Sequence, residues 1–112
     1  MYALVGLVGF VGPLAPDGNL LGVFGINPLH NVVHLAVGGL FLFGSTSAAN
    51  ARIVNLTIGV VYLLVGALGP VGALVPTLLN NNLADTVLHL LTGGLATYFS
   101  TAGAGVPRTA TR

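Results

Sequence analysis

The chain reads as an all-α integral membrane protein, a four-helix bundle made of two tandem helical hairpins. Three observations predict it. Of its 112 residues 54% are hydrophobic and only 4% are charged, with a mean hydropathy of +0.97. A soluble domain carries about 25% charged residues to cover its water-facing surface, so five charges leave a bilayer as the natural solvent. The apolar stretches are continuous, as in membrane helices, and not alternating as in membrane β-barrels. Finally, the chain repeats itself. Asn27-Pro28-Leu29-His30-Asn31-Val32-Val33-His34-Leu35, followed by Gly38-Gly39-Leu40, returns 55 positions later as Asn82-Leu83-Ala84-Asp85-Thr86-Val87-Leu88-His89-Leu90 and Gly93-Gly94-Leu95. Tyr2, Gly6, Gly9, Gly12 and Pro16 match Tyr62, Gly66, Gly69, Gly72 and Pro76 at an offset of 60. The different offsets mean a longer internal loop in the first copy. A repeat of this kind sets the architecture: repeat 1 covers about 1–46 and repeat 2 about 53–101 of a single transmembrane domain, 1–102.

The elements follow in order. The first segment, residues 1–12, would reach only about 18 Å at 1.5 Å per residue, short of a hydrocarbon core of about 30 Å. Its counterpart has Ile53–Val61 ahead of Tyr62, whereas little precedes Tyr2. A short or tilted helix, or a natural start upstream of Met1, accounts for the difference. The second span, about 28–45, opens with Asn27 as N-cap and Pro28 at the first helical position. The third covers about 53–70. The fourth, about 83–101, opens at Asn82 with Asp85 three residues on, where a carboxylate meets the positive end of the helix dipole. Residues 103–112 form a polar tail, which would fray unless a partner held it.

Arg52 lies between spans two and three, and Arg108 and Arg112 follow span four; Asp17 and Asp85 lie on the opposite side. The positive-inside rule then puts both termini on the cytoplasmic side, or the stromal side of a thylakoid membrane. Two hairpins in the same orientation imply a pseudo-twofold axis along the membrane normal. The 17 glycines need a packing reason, since each costs about 1 kcal/mol against Ala inside a helix. Close backbone approach between helices supplies one. The alternative is that Gly38 and Gly93, one turn past each histidine, make room for a flat ligand.

Chemistry has to be sought at the histidines. His34 and His89 occupy equivalent positions, about 10 Å along their helices, and an ionisable residue at such depth is a functional hypothesis by default. His30 lies one turn from His34 on the same face, and Asp85 is its repeat counterpart. Three uses compete. In the first, the rings are structural and pair with one another, with backbone or with Asp85, in a polar cluster with Asn27 and Asn82. In the second, His34, His89 and His30 bind a cofactor, haem or chlorophyll, through neutral imidazole. The third is a proton path, which a single acidic residue near one end does not complete. Three His and one Asp could also hold zinc, but the pair lacks the Glu of H-E-x-x-H, and no metal site is assigned. No catalytic residue is assigned either: Ser45, Ser47 and Ser100 fall at the opposite end from the histidines, out of hydrogen-bond reach. Without Lys or a basic cluster the chain has no nucleic-acid footprint, and without Cys it has neither disulfides nor thiolate sites.

The run from Gly22 to Leu35, with Asn27, Pro28, His30, Asn31 and His34, and the later Asn82, Asp85 and His89, resembles an uncharacterised family of small bacterial four-helix membrane proteins, widespread in actinobacteria and present in cyanobacteria. The resemblance covers nearly the whole chain and implies four spans without an established activity. A weaker likeness is to the small accessory subunits of cyanobacterial photosystems, which are short, Gly-rich and nearly uncharged and sometimes ligate chlorophyll. The expected function is therefore non-enzymatic: an accessory subunit of a larger membrane complex, most specifically a photosynthetic one, in a bacterial plasma or thylakoid membrane. Its partners would be larger membrane subunits and lipid. The alternative is a small haem- or chlorophyll-binding protein with His34 and His89 as ligands.

Overall fold

The computed structural model describes residues 2–102; the tail at 103–112, with Arg108 and Arg112, lies outside the described residues. The chain is mostly helical, with α1 at Tyr2–Val8, α2 at Pro28–Gly44, α3 at Ala48–Leu68, α4 at Leu74–Leu79 and α5 at Leu83–Ala102. α1 packs along α2, α3 packs along α5, and α2 and α3 join the two pairs. The core is a cluster of Tyr2, Val37, Val54, Ile58 and Tyr62 where α1, α2 and α3 meet.

α2 and α5 start where their caps dictate. Asn27 is extended, and its Oδ1 accepts from the His30 backbone N–H at 2.8 Å, with Pro28 in the first turn, where no N–H partner is missed. At α5 the capping is reciprocal. Asn82 Oδ1 accepts from the Asp85 N–H at 3.0 Å, and Asp85 Oδ2 accepts from the Asn82 N–H at 2.9 Å. α3 begins at Ala48, earlier than the expected 53, because Ser47 caps it by accepting from the Asn50 N–H at 3.1 Å. Apolarity marks where a helix enters lipid; the cap marks where it begins. The first segment ends its helix at Val8, ahead of Gly9, Gly12 and Pro13.

Two elements were not foreseen. The longer loop of the first copy folds into a small antiparallel hairpin, β1 at Asn19–Leu20 and β2 at Phe24–Gly25. Its turn places Leu21 and Gly22 at φ 52° and 73°. In the second copy the corresponding loop is the six-residue α4, whose Pro76 is tolerated because it lies in the first turn, where backbone N–H groups have no intrahelical partner.

Contacts between the helices recur at the spacing of the repeat. A Cβ placed on Gly6 would meet Leu35, and one on Gly66 would meet Leu90; the same holds for Gly9 with Asn31 and Gly69 with Thr86, and for Gly38 with Ala3 and Gly93 with Leu63. Each contact in the first hairpin thus has its counterpart in the second. The glycines are needed because the partner atoms at Gly38 and Gly93 include backbone, which cannot move aside as a side chain can.

The two loops are tied crosswise. Asn27 Nδ2 donates to the Leu78 carbonyl at 2.8 Å, and Asn82 Nδ2 donates to the Val23 carbonyl at 2.8 Å. These two bonds are themselves 55 positions apart at both ends. Each cap asparagine therefore does two things: its oxygen starts a helix and its nitrogen holds the other copy's loop. Asn27→Ala or Asn82→Ala is expected to cost about 0.5–2 kcal/mol for the cap plus about 0.5–1.5 kcal/mol for the crossed bond. Thermal unfolding in detergent measures this, with Asn19→Ala, whose side chain makes only an exposed local bond, as the neutral comparison.

Candidate functional site

The helix starts and the faces they set bring the histidines together. His30 and His34 follow Asn27 on α2 with the i, i+4 spacing that places side chains on one face, and His89 projects from α5 onto the same spot. All three are buried, at 1%, 4% and 3% exposure, in a chain whose apolar side chains are largely exposed. His30 Nε2 and His34 Nε2 are hydrogen-bonded at 3.0 Å, and their rings stack at 4.6 Å. The His89 ring lies 5.9 Å from that of His30. One ligand nitrogen from each of the three falls within 4.8 Å of the others.

Two tyrosines complete the cluster. Tyr2 stacks nearly parallel on His34, with centroids 5.4 Å apart, and Tyr62 meets His89 edge-on at 5.0 Å. The two tyrosines touch each other at 5.7 Å. Tyr2 Oη donates to Thr92 Oγ1 at 2.6 Å, whereas Tyr62 Oη is buried without a partner among the described residues. The pairing of Tyr62 with His89 is not among the sequence expectations. The signal was available: Tyr2 and Tyr62 are one repeat pair and His34 and His89 another, so one Tyr–His contact requires the second.

The tautomers can be argued from the bonding. Where His30 and His34 share one Nε2–Nε2 bond, one nitrogen must accept, so that ring carries its proton on Nδ1. The Nδ1 atoms of His30, His34 and His89 are all buried without a partner among the described residues. The imidazoles are thus under-bonded for their depth, at a cost of about 1–3 kcal/mol for each unpaired polar atom.

Asp85 is brought close to the loops and does not join the ligand group. Its Oδ2 accepts from the Gly25 N–H at 2.9 Å as well as from that of Asn82, so it fastens the β1–β2 hairpin to the start of α5. Asn27 and Asn82 lie in the crossed loop contacts described above. The serines stay apart from the imidazoles: Ser47 caps α3, while Ser45 and Ser100 donate to carbonyls of their own helices.

Room for a flat macrocycle is taken up by protein. The notches at Gly38 and Gly93 are filled by Ala3 and Leu63, so close packing accounts for these glycines. His34 has Tyr2 on one side and His30 on the other, and His89 has Tyr62; a tetrapyrrole between His34 and His89 would displace those rings. A groove of about 310 Å³ beside Tyr2 is lined by Ala3, Gly38, Phe41 and Leu42, and no histidine reaches it.

Among the described residues one helix, α3, is long and apolar enough to cross a membrane, and only 28% of its most apolar stretch is buried. α2 is a shorter apolar helix of 17 residues. The result is a helical protein that buries its histidines beside a small apolar core and leaves much apolar surface exposed. Residues 1–102 match the family described as Domain of unknown function (DUF4383), and the chain belongs to that family. No curated protein and no solved structure matches it.

Proposed function

We propose that the protein is a non-enzymatic integral membrane protein, two tandem hairpins about a pseudo-twofold axis along the membrane normal, which serves as an accessory subunit packed against larger membrane subunits. The observation that carries this reading is its inverted polarity. Leu29, Val32, Leu40, Leu42, Ile53, Leu64, Leu91 and Leu95 are exposed along α2, α3 and α5, while His30, Asn31, His34, Asp85 and His89 are buried. Contiguous apolar surface of this extent is incompatible with water and suits lipid or another membrane protein. The recurring glycine contacts and the crossed asparagines support the axis. α1, about 10 Å long at 1.5 Å per residue, begins level with Thr92, midway along α5, and supplies part of the first span. Arg52 near the start of α3 supports a cytoplasmic or stromal side for the turn at 45–47.

The near absence of charge and the glycine content favour a photosynthetic complex as host. Isolation of the protein from its native membrane in mild detergent tests this, with absorption spectra and identification of stoichiometric membrane subunits. Co-migration with a larger complex that carries a red chlorophyll band is the expected result. A protein that migrates alone overturns the accessory role. A Soret band with sharp α and β bands in the isolated chain would establish haem binding instead.

A further inference from the structure

The accessory reading leaves the three imidazoles without a task, and their geometry points to one. We propose that His30, His34 and His89 form a binding site for a single divalent transition ion of the zinc class, held by three neutral imidazole nitrogens. The ligand atoms already lie within 4.8 Å of one another, with the His30–His34 pair at 3.0 Å. Zinc–nitrogen bonds of about 2.0–2.1 Å put two ligands of a tetrahedral ion roughly 3.3 Å apart. The rings therefore need to shift by about an ångström or so to close on an ion, a movement that side-chain torsions supply.

The donor set has the right chemistry. Imidazole suits zinc and its borderline neighbours, and three histidines leave a fourth tetrahedral position for water or an external ligand. On loading, the proton now shared between the His30 and His34 Nε2 atoms moves to Nδ1 of the ring that carried it, so that each ring offers one nitrogen lone pair to the ion and His89 offers a third. Loading therefore neither takes up nor releases a net proton from neutral rings and breaks one hydrogen bond.

Preorganisation comes from an unusual quarter. Metal-binding histidines are ordinarily oriented by a hydrogen bond at the other ring nitrogen. Here the Nδ1 atoms have no such partner among the described residues, and the rings are instead held by aromatic contact, His34 by Tyr2 and His89 by Tyr62. Asp85 stands one turn before His89 on α5 and is buried. It is the acidic side chain nearest in sequence to the cluster, and it offsets part of the ion's charge through space without being a ligand.

The site also explains why polar side chains are retained at this depth. A cluster serving only to join the hairpins would gain stability from apolar replacement of similar volume. A ligand set cannot be replaced in that way.

The test uses the full chain without an affinity tag, purified in mild detergent, stripped with a chelator and titrated with Co²⁺ as a spectroscopic probe. One Co²⁺ per chain is expected, with the intense visible bands of a tetrahedral site, displaced by an equivalent of Zn²⁺ and accompanied by a higher unfolding temperature. His34→Gln and His89→Gln should each weaken binding by more than the roughly 10–100-fold that loss of a merely supporting group costs. Tyr98→Phe, at an exposed position of α5 that touches none of the three rings, should bind one ion as the parent does. Absence of saturable binding to the folded parent chain overturns the site, as does a weak octahedral spectrum. So does unchanged affinity in His34→Gln or His89→Gln. Because the parent chain alone gives the first two readouts, failure of a variant to fold does not shield the proposal. None of these results depends on a host complex, so the site and the accessory role fail separately.

Discussion

Gly93→Leu is expected to destabilise the protein by about 1–3 kcal/mol or more, the usual range for overpacking a tight interface, whereas Gly94→Leu should leave stability within about 0.5 kcal/mol. The two glycines are neighbours in the same helix and face different surroundings. A Cβ on Gly93 would lie 2.8 Å from the Leu63 backbone nitrogen and 3.0 Å from the Gly59 carbonyl oxygen. Both are backbone atoms of α3, so relief requires the helices to part. Parting them also loosens Gly59, whose own Cβ would meet Thr97. Gly94 has open space around its Cβ position, and Leu there replaces a poor helix former with a good one. The first hairpin gives the same contrast, Gly38→Leu against Gly39→Leu, because Gly38 faces the Ala3 backbone and Gly39 faces open space. Thermal unfolding of the four variants in one detergent provides the measurement. Equal effects at both members of a pair would mean that close helix approach is not why the glycines are there.

That contrast also shows what could be read from the sequence and what could not. The Gly-Gly pairs are visible as a repeat, and a packing role follows from their cost in a helix; which member of each pair faces the neighbour depends on helix rotation, which the sequence leaves open. Asn27–Pro28 and Asn82…Asp85 were legible as helix starts because capping is local, set within four residues. Ser47 was legible in principle, but apolarity drew the expected start to Ile53, since a polar first turn looks like loop when judged by hydropathy alone. The β1–β2 hairpin and α4 were not legible. They arise because loops of unequal length must meet across the crossed asparagines, a constraint that exists only once the hairpins have packed. At the site, the His30–His34 contact follows from i, i+4 spacing, and equivalence in the repeat brings in His89. Asp85, the repeat counterpart of His30, was legible as part of a polar cluster with Asn82, to which it is bonded. Its bond to Gly25, 60 residues away, was not, because it depends on where the packed loop falls.

The bond to Gly25 makes Asp85 the polar side chain whose loss should cost most. Both of its backbone donors, Gly25 N–H and Asn82 N–H, bond to one oxygen, Oδ2, at 2.9 Å each. Asp85→Ala strands both. The Gly25 bond is buried and the Asn82 bond partly so, so the first N–H loses a partner that water cannot replace, while the second recovers some hydration. With about 1–3 kcal/mol for each buried donor left unsatisfied, a loss of roughly 2–4 kcal/mol is expected, along with fraying of the β1–β2 hairpin from the start of α5. Asp85→Asn separates bonding from charge. Its amide oxygen can occupy the Oδ2 position and accept both bonds, so only the favourable meeting of charge and helix N-terminus is lost, about 0.3–1 kcal/mol. Unfolding of the two variants, with amide hydrogen exchange at Gly25 as the local probe, provides the check. The Gly25 amide should exchange quickly in Asp85→Ala and slowly in Asp85→Asn. If Asp85→Asn proves as damaging as Asp85→Ala, the negative charge and not the bonded oxygen is what this position requires, and a charge beside three neutral imidazoles is what a bound cation would need.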